Sequence, residues 1–480
     1  MEASAAHKLR APSDDDLDRF AGIVGQKNAI REEAAMAPFL TEWRDLYAGK
    51  AALILKPSSR EQVAEILAFA NKRRIGIVPQ GGNTGLVGGQ IPFETGDEVV
   101  VSMARLNRIR ALEPDSNTMT AEAGVILENA QRAADDVDRL FPLSLASEGS
   151  CQIGGNLATN AGGTAVLAYG NVRNLVLGVE VVLANGEIWE GLRALEKDNT
   201  GYDLKDLFIG SEGTLGLITA AVLKLFPKPA ERATALVGFA DLKQVAKFFS
   251  LARRGAPRAM TAFELIPRLG VEFVVKHGSS VRDPLASTYP WYVLIELSGP
   301  EADGTTQARL EALLSQALEA NLIGDAALAT SQSQARDLWR LRELLSEVQK
   351  PEGGSIKHDV SVPVGAIPDF IERAEELVER IVPGCRPVPF GHFGDGNIHF
   401  NVSRPVGMDS ADFLAKWNAM TSAVHELVIS LDGSVSAEHG IGRMKRELLA
   451  ETKSDIELEL MRRVKQAFDP NGILNPGKLL

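Results

Sequence analysis

Cysteine is nearly missing from this chain: among 480 residues only Cys151 and Cys385 occur. A disulfide framework and a Cys-rich metal site are thereby excluded, and a reducing compartment suits the sequence. Long apolar runs are missing too. No stretch of about 18 apolar residues exists, so no membrane-spanning helix is expected. The start, Met1 to Arg10, has no apolar h-region, and Asp14, Asp15 and Asp16 are wrong for an acid-poor transit peptide, so a cytoplasmic location is expected. Positive charge is in deficit. With 51 Lys and Arg against 63 Asp and Glu the formal net charge is −12, which argues against nucleic acid or an anionic membrane as a partner. Basic groups that serve a ligand must therefore be gathered locally. Internal repeats and low-complexity tracts are absent as well. The composition, 45% hydrophobic and 24% charged, is that of a soluble globular protein, and the length calls for two or three domains.

What the chain has in plenty is clustered glycine. The stretch Pro79-Gln80-Gly81-Gly82-Asn83-Thr84-Gly85-Leu86-Val87-Gly88-Gly89-Gln90 holds five glycines in twelve residues and suits neither helix nor packed strand. Glycine allows positive φ and close approach of a ligand to backbone. Successive N–H groups in such a loop can form a nest for an anion, a pyrophosphate above all. Arg74 to Val78 reads as a short buried strand before the loop and Glu98 to Ser102 as another after it. Spacing excludes two familiar phosphate loops. There is no Gly-x-x-x-x-Gly-Lys-[Ser/Thr], and the loop does not run on into a helix as a Rossmann fingerprint does. For this loop taken alone, a flexible hairpin without a ligand is the alternative.

Along the chain, Ser13 to Val24 reads as a capped helix. Ser58-Ser59-Arg60-Glu61 opens another, with Val63, Ile66, Leu67 and Ala70 at helical spacing. Thr118 to Ala123 reads as a strand and Val125 to Leu140 as a helix. Ser147 to Gly163 is a second long segment of small residues; it would bury little apolar area and suits a flat aromatic ring lying against backbone. Asn185-Gly186 signals a type I′ hairpin, and Gly210 to Ile218 is a third glycine-rich passage. Pro227 and Pro229 mark a domain boundary. Beyond it, strand-like Ala233 to Phe239 and Trp291 to Ser298 alternate with helix-like Asp241 to Arg254 and Gln307 to Ala320, which suggests an antiparallel sheet with helices on one face. Ala335 to Gln349 reads as a helix and Ile356 to Val362 as a strand.

Four of the seven histidines fall after residue 390. His392 and His399 flank Gly394-Asp395-Gly396, a turn that folds two strands together and makes the imidazoles neighbours. Asn397, His399 and Asn401 then share one face of the second strand by its period of two. Glu438, in Ser436-Ala437-Glu438-His439-Gly440, offers a third ligand. Two neutral imidazoles and a carboxylate make a catalytic zinc site with open coordination, and manganese or cobalt accepts the same donors. Read singly, each histidine is an ordinary polar strand residue; two glycine-flanked histidine motifs in one chain favour the metal. Arg342 and Ser346 stand one helical turn apart, and Lys357 follows on a strand with Asp359 on the same side. Singly these are solvated charges. Beside a metal they supply an Arg fork, a hydroxyl and an ammonium, which is what a substrate with two carboxylates needs.

In order along the chain, Pro79 to Gln90, Gly149 to Gly163, Asp198 to Gly216, Gly391 to His399, Ser434 to Gly440 and Gly472 to Gly477 resemble the FAD-dependent D-2-hydroxyacid dehydrogenases of the vanillyl-alcohol-oxidase / para-cresol-methylhydroxylase (PCMH) flavoprotein family. The resemblance implies an α+β protein. A PCMH-type FAD-binding domain of two subdomains would span residues 1–229 with the N-terminal lead-in. An inserted α+β substrate domain with an antiparallel sheet would span 230–432, and a C-terminal segment, 433–480, would return to the FAD domain. The resemblance also implies that Pro79, Gln80, Gly81, Gly82, Asn83, Thr84 and Gly85 cradle the pyrophosphate, and that Gln90 contacts FAD. By the same pattern Ala146, Ser147, Gly149, Ser150, Gly154, Gly155, Thr159, Asn160 and Gly162 line the cofactor. Glu212, Gly213 and Ile218 complete its pocket, with Asn475 from the tail. His392, His399 and Glu438 fall on the metal ligands. Arg342, Ser346, Lys357, Asn401 and His439 fall on substrate contacts, His439 being the catalytic base. Ser346 stands where a close relative has threonine and keeps the hydroxyl. Some family members attach FAD through a histidine in the glycine loop; Asn83 stands near that place, so FAD is expected to be non-covalent.

The activity so implied is oxidation of a D-2-hydroxy acid, with D-2-hydroxyglutarate to 2-oxoglutarate expected. Hydride would leave C2 for flavin N5, the metal would stabilise the alkoxide, and His439 would take the hydroxyl proton. No NAD fingerprint is present, so an electron-transfer flavoprotein is the expected acceptor, a quinone-linked carrier being the alternative; a homodimer is also expected. Dehydrogenases of D-lactate, D-malate or glycolate would share these motifs. An oxidase using O₂, a non-redox flavin synthase related to alkylglycerone-phosphate synthase and a non-catalytic zinc-stabilised nucleotide-binding module stay open.

Overall fold

A computed structural model describes residues 9–279 and 281–480. Residues 1–8, most of the start read above for targeting signals, lie outside the described residues. The chain forms two compact units. One comprises the described residues up to Gly163 together with Gly170–Pro227 and Glu438–Leu480; the other comprises Thr164–Tyr169 and Lys228–Ala437.

The first unit contains two main sheets. A four-stranded sheet has the order Ala29–Ile30, Leu53–Leu55, Val99–Ser102, Ile77–Gln80, the last three strands running parallel. The helix Arg60–Arg73 makes the crossover. The Ser59 hydroxyl caps it by accepting from the Gln62 N–H, and it closes at Arg74 in a left-handed conformation with φ 57°. Its apolar stripe of Val63, Ile66, Leu67 and Ala70 packs with Leu53, Leu55, Ile77, Val99 and Val101, each large side chain contributing roughly 1.5–3 kcal/mol. The helix Asp14–Val24 carries a capping box between Ser13 and Asp16 and adds Phe20 to this core. An antiparallel sheet follows, ordered Ile109–Glu113, Thr118–Glu122, Leu217–Lys224, Val176–Val182, Ile188–Gly191. The tail completes the unit: Ile473 and Leu474 are fully buried, the Ile77 N–H donates to Ile473 O (2.8 Å), and the Asn475 N–H donates to Ile77 O (2.8 Å).

Three expectations change here. The helix read over Val125 to Leu140 covers only Leu127–Asp135, and Arg139–Leu140 pairs as a strand with Phe226–Pro227. The Asn185-Gly186 hairpin exists, but only Gly186 has positive φ (88°), so the turn is not type I′; the Gly186 N–H closes it on Leu183 O. The small-residue segment contains a helix, Ile153–Thr159.

The second unit is built on a seven-stranded antiparallel sheet, ordered Asp325–Leu328, Glu231–Phe239, Trp291–Gly299, Met260–Pro267, Arg386–His392, Asn397–Ser403, Ser355–Ser361. Helices cover both faces rather than one. Leu338 and Leu341 of Gln332–Glu343 and Val271 and Val274 of Arg268–His277 pack with Leu236, Ile266 and Leu294. On the opposite face Phe248 and Phe249 of Leu242–Gly255 stack with Phe239, Phe263 and Phe393. The central strands are buried along nearly their whole length, and a sheet apolar on both sides requires two covers.

Candidate functional site

In the first unit the glycine loop leaves the strand Ile77–Gln80 at a sheet edge. Gln80 is buried and its Nε2 donates to Phe39 O (2.8 Å) and Gln90 O (3.0 Å), which ties the two ends of the loop together. Asn83 holds φ 57°, with Nδ2 donating to Pro38 O (3.0 Å) and Thr41 O (2.9 Å). The loop lies directly on the second glycine segment. A Cβ on Gly82 would sit 2.1 Å from Ser150 O, and one on Gly81 3.5 Å from Gly155. The helix Ile153–Thr159 ends at Asn160, which has φ 51° and whose Oδ1 accepts from the Arg173 N–H (3.1 Å). Gly154 packs on Ala123, where a Cβ would come within 2.6 Å; at Gly155 a Cβ would meet nothing within 4 Å.

Glu212 has φ 52°, and its carboxylate accepts from the N–H groups of Ile441 and Gly442, both at 2.7 Å. Burial raises its pKa, and those two N–H donors oppose the rise. Gly213 packs against Pro79, Ile218 lies on the strand Leu217–Lys224, and Asn475 Nδ2 donates to Gly89 O (3.0 Å) and Glu212 O (2.9 Å). Pro79 to Gln90, Ser150 to Gly155, Glu212 and Asn475 are thus drawn into one small-residue surface. Asn83 Oδ1, Gln152 Oε1 and Asn475 Oδ1 are buried acceptors with no protein partner among the described residues. Such acceptors, beside backbone with room kept at Gly155, fit the hydroxyl-rich chain and ring N–H of a flavin dinucleotide.

In the second unit strand register does the assembling. The strands Arg386–His392 and Asn397–Ser403 fold back across Gly394-Asp395-Gly396, and Phe390 pairs with His399. Asp359 pairs with His399 and Lys357 with Asn401 from the other side, while Glu264 pairs with His392. Residues paired in register share a face, so Glu264, His392, Phe390, His399, Asp359, Asn401 and Lys357 line one face across four strands. The rings of His392 and His399 are 5.6 Å apart. His399 Nδ1 is 3.8 Å from Asp359 Oδ1, and Asn397 Nδ2 donates to that same oxygen (3.0 Å). Arg342 is buried at 7% exposure, its guanidinium 5.0 Å from the centre of the Phe390 ring.

Two features differ from expectation. The helix Gln332–Glu343 ends before Ser346, which sits in a 3-10 turn and is exposed, so Arg342 and Ser346 do not share a helix face. Lys357 Nζ donates to Ser346 O (3.5 Å), a backbone atom rather than the hydroxyl. One participant went unread: Glu264, 1% exposed, whose Oε2 accepts from Arg342 Nε (2.7 Å) and whose Oε1 is 2.8 Å from His392 Nδ1. Burial would raise its pKa, but its contacts with His392 and Arg342 outweigh that and hold it below the usual carboxylate range. The available signal was a lone carboxylate in the apolar run Met260–Pro267. The third expected metal ligand, Glu438, and its neighbour His439 belong to the first unit, where Glu438 Oε1 accepts from the Gly163 N–H (2.8 Å).

The chain belongs to the family of FAD-linked oxidases, and within it to the FAD-dependent 2-hydroxyacid dehydrogenases. The FAD binding domain matches residues 51–191 and the C-terminal domain of FAD linked oxidases matches residues 228–479. Among curated relatives, a mitochondrial D-2-hydroxyglutarate dehydrogenase of Arabidopsis thaliana is 38% identical over 97% of this chain and 81% of its own length. A D-2-hydroxyglutarate–pyruvate transhydrogenase of Saccharomyces cerevisiae is 36% identical over 97% of this chain and 94% of its own. The mitochondrial D-2-hydroxyglutarate dehydrogenase of Rattus norvegicus is 38% identical over 98% and 85%. In fold the chain resembles p-cresol methylhydroxylase with substrate bound, at 17% identity and a TM-score of 0.75 over 96% of both chains. An alkyldihydroxyacetonephosphate synthase is similar at 17% identity and a TM-score of 0.75, over 99% of this chain and 88% of its own. Among the described residues no helix is long and apolar enough to cross a membrane.

Proposed function

We propose that this chain oxidises D-2-hydroxyglutarate to 2-oxoglutarate, holding FAD non-covalently in the first unit and a divalent metal at His392, His399 and Glu438. The observation that carries the reading is the register that sets His392 and His399 on one sheet face with Lys357 and Asn401. A supporting point is covalent. Ser434 pairs with Ser361 and the Ala437 N–H donates to Asp359 O (3.4 Å), so the segment runs along the edge strand Ser355–Ser361, whose Asp359 is paired with His399, and Glu438 follows Ala437 with Cα atoms about 3.8 Å apart. Two imidazoles and a carboxylate suit zinc, and also manganese or cobalt.

When bound, FAD supplies the hydride acceptor that no side chain offers, and the metal supplies a Lewis acid. In this reading Arg342 and Lys357 bind the substrate carboxylates, Asn401 orients the acid, and His439 takes the C2 hydroxyl proton on an imidazole nitrogen. The first unit serves as the FAD domain and the second as the substrate domain. An electron-transfer flavoprotein as acceptor, a homodimer and a cytoplasmic site complete the proposal, the last at variance with the mitochondrial names of the relatives. The test is anaerobic addition of D-2-hydroxyglutarate, D-malate and D-lactate to the yellow protein, before and after chelation. Bleaching fastest with D-2-hydroxyglutarate and abolished by chelator is expected; bleaching by none of the three, or full bleaching after metal removal, rejects the reading.

A further inference from the structure

Glu264 lies in the middle of an apolar strand, 78 residues from one partner and 128 from the other, and each oxygen serves a different group. Its Oε2 accepts from Arg342 Nε at 2.7 Å and its Oε1 faces His392 Nδ1 at 2.8 Å. A carboxylate this deeply buried is tolerated only with such donors. We propose that Glu264 is a positioning residue that sets both halves of the acid site at once. It holds His392 as the Nδ1–H tautomer, which makes Nε2 the donor to the metal, and it anchors Arg342 through Nε, which leaves both Nη groups for a substrate carboxylate.

The inference rests on the metal and substrate roles proposed above. Its chemistry is specific. Which ring nitrogen of a histidine binds metal is decided by the hydrogen bond the other one makes. The centre of the Phe390 ring lies 5.0 Å from the guanidinium carbon of Arg342, so the cation packs against the ring while Glu264 holds its Nε. Only a carboxylate of this length meets both demands. An amide in its place offers one acceptor and one donor, so either His392 or Arg342 would face an N–H. Aspartate keeps the charge but is one methylene short of spanning both partners. Because one carboxylate holds both residues, a movement that improves one contact is felt at the other, which couples metal loading to acid recognition.

The test uses the full-length FAD-loaded protein as wild type, Glu264→Asp, Glu264→Gln and Glu296→Gln. The last is a control at a buried carboxylate on the neighbouring strand, bonded to Thr234 Oγ1 and Trp339 Nε1. Zinc affinity is read by chelator competition with elemental analysis, and melting by flavin fluorescence. Glu264→Asp is expected to weaken zinc binding about 10- to 100-fold and, at saturating zinc, to raise KM for D-2-hydroxyglutarate more than it lowers kcat. Glu296→Gln is expected to lower the melting temperature and leave zinc affinity alone. Unchanged zinc affinity in Glu264→Asp, or an equal loss in Glu296→Gln, overturns the inference. Should the Glu264 variants fail to fold, ¹⁵N-histidine spectra of the wild type decide: an Nε2–H tautomer at His392 rejects the assignment and Nδ1–H supports it. A wild type that takes up no stoichiometric zinc, manganese or cobalt instead rejects the metal reading itself, a separate outcome.

Discussion

Replacing Gly155 by alanine separates the protein's own packing from the room kept for a cofactor. Gly155 lies inside the helix Ile153–Thr159, and a Cβ there meets nothing within 4 Å. Alanine is favoured over glycine in a helix interior by about 0.8–1.0 kcal/mol, so cofactor-free Gly155→Ala is expected to melt roughly 1–2 °C above wild type. Gly154 is the contrast. A Cβ there would lie 2.6 Å from the Cβ of Ala123 and 3.1 Å from its carbonyl oxygen, so Gly154→Ala is expected to melt lower, overpacking costing about 1–3 kcal/mol. If FAD lies in the cradle as proposed, the new methyl at Gly155 would intrude on the space it takes. The same 1–3 kcal/mol then weakens FAD binding roughly 5- to 150-fold. Removing FAD, melting the apoprotein by calorimetry and titrating FAD back by fluorescence measures both effects in one preparation. The expected result is a pair of opposite signs, a firmer apoprotein and a weaker holoenzyme. Wild-type FAD affinity in Gly155→Ala would refute the placing of the cofactor over this helix.

His439→Ala is expected to keep its FAD and metal content while kcat falls about 10²- to 10⁴-fold; near-normal turnover would remove the base from its role. Lys357→Met is expected to raise KM for D-2-hydroxyglutarate by roughly 10- to 150-fold, the value of one hydrogen bond to a charged group, with little change for D-lactate, and an equal change for both acids would deny Lys357 the distal carboxylate. Glu352 gives a pH dependence. Burial would raise its pKa, but Lys276, Arg386 and His277 outweigh this and hold it at about 2 against an ordinary 4.5. A depressed carboxylate stabilises the fold above its unfolded pKa and loses that contribution as pH falls through the folded value. The gap in urea midpoint between wild type and Glu352→Gln should therefore stay constant from pH 7 to about 5 and shrink between pH 4.5 and 2; a gap undiminished at pH 2.5 contradicts it.

Legibility in the sequence followed range. The glycine loop and the His392/His399 hairpin are written in a dozen residues each, and local turn chemistry fixes both. Ile153–Thr159 was not legible as a helix because Gly154 and Gly155 weaken helix propensity; packing against Ala123 and the neighbouring strand overrides it. The second cover of the large sheet was missed with the helix Arg268–His277, whose partners Ile266, Leu341 and Phe390 lie on separate strands and helices. Glu264 was invisible for the same reason, since both its partners are distant in sequence. No local pattern marks Thr164–Tyr169 either, six residues inside the N-terminal half that pack with the second unit.

The first unit's core includes Ile473 and Leu474, and Ile77 exchanges backbone bonds with residues 473 and 475. On the ribosome, that sheet edge therefore waits while Lys228–Ala437 is made, some 210 residues or roughly 10–40 s of synthesis. Nearly all of the second unit is contiguous and is complete before the closing strip emerges. A premature stop just ahead of codon 473 would thus leave a finished second unit attached to a first unit whose sheet edge stays open.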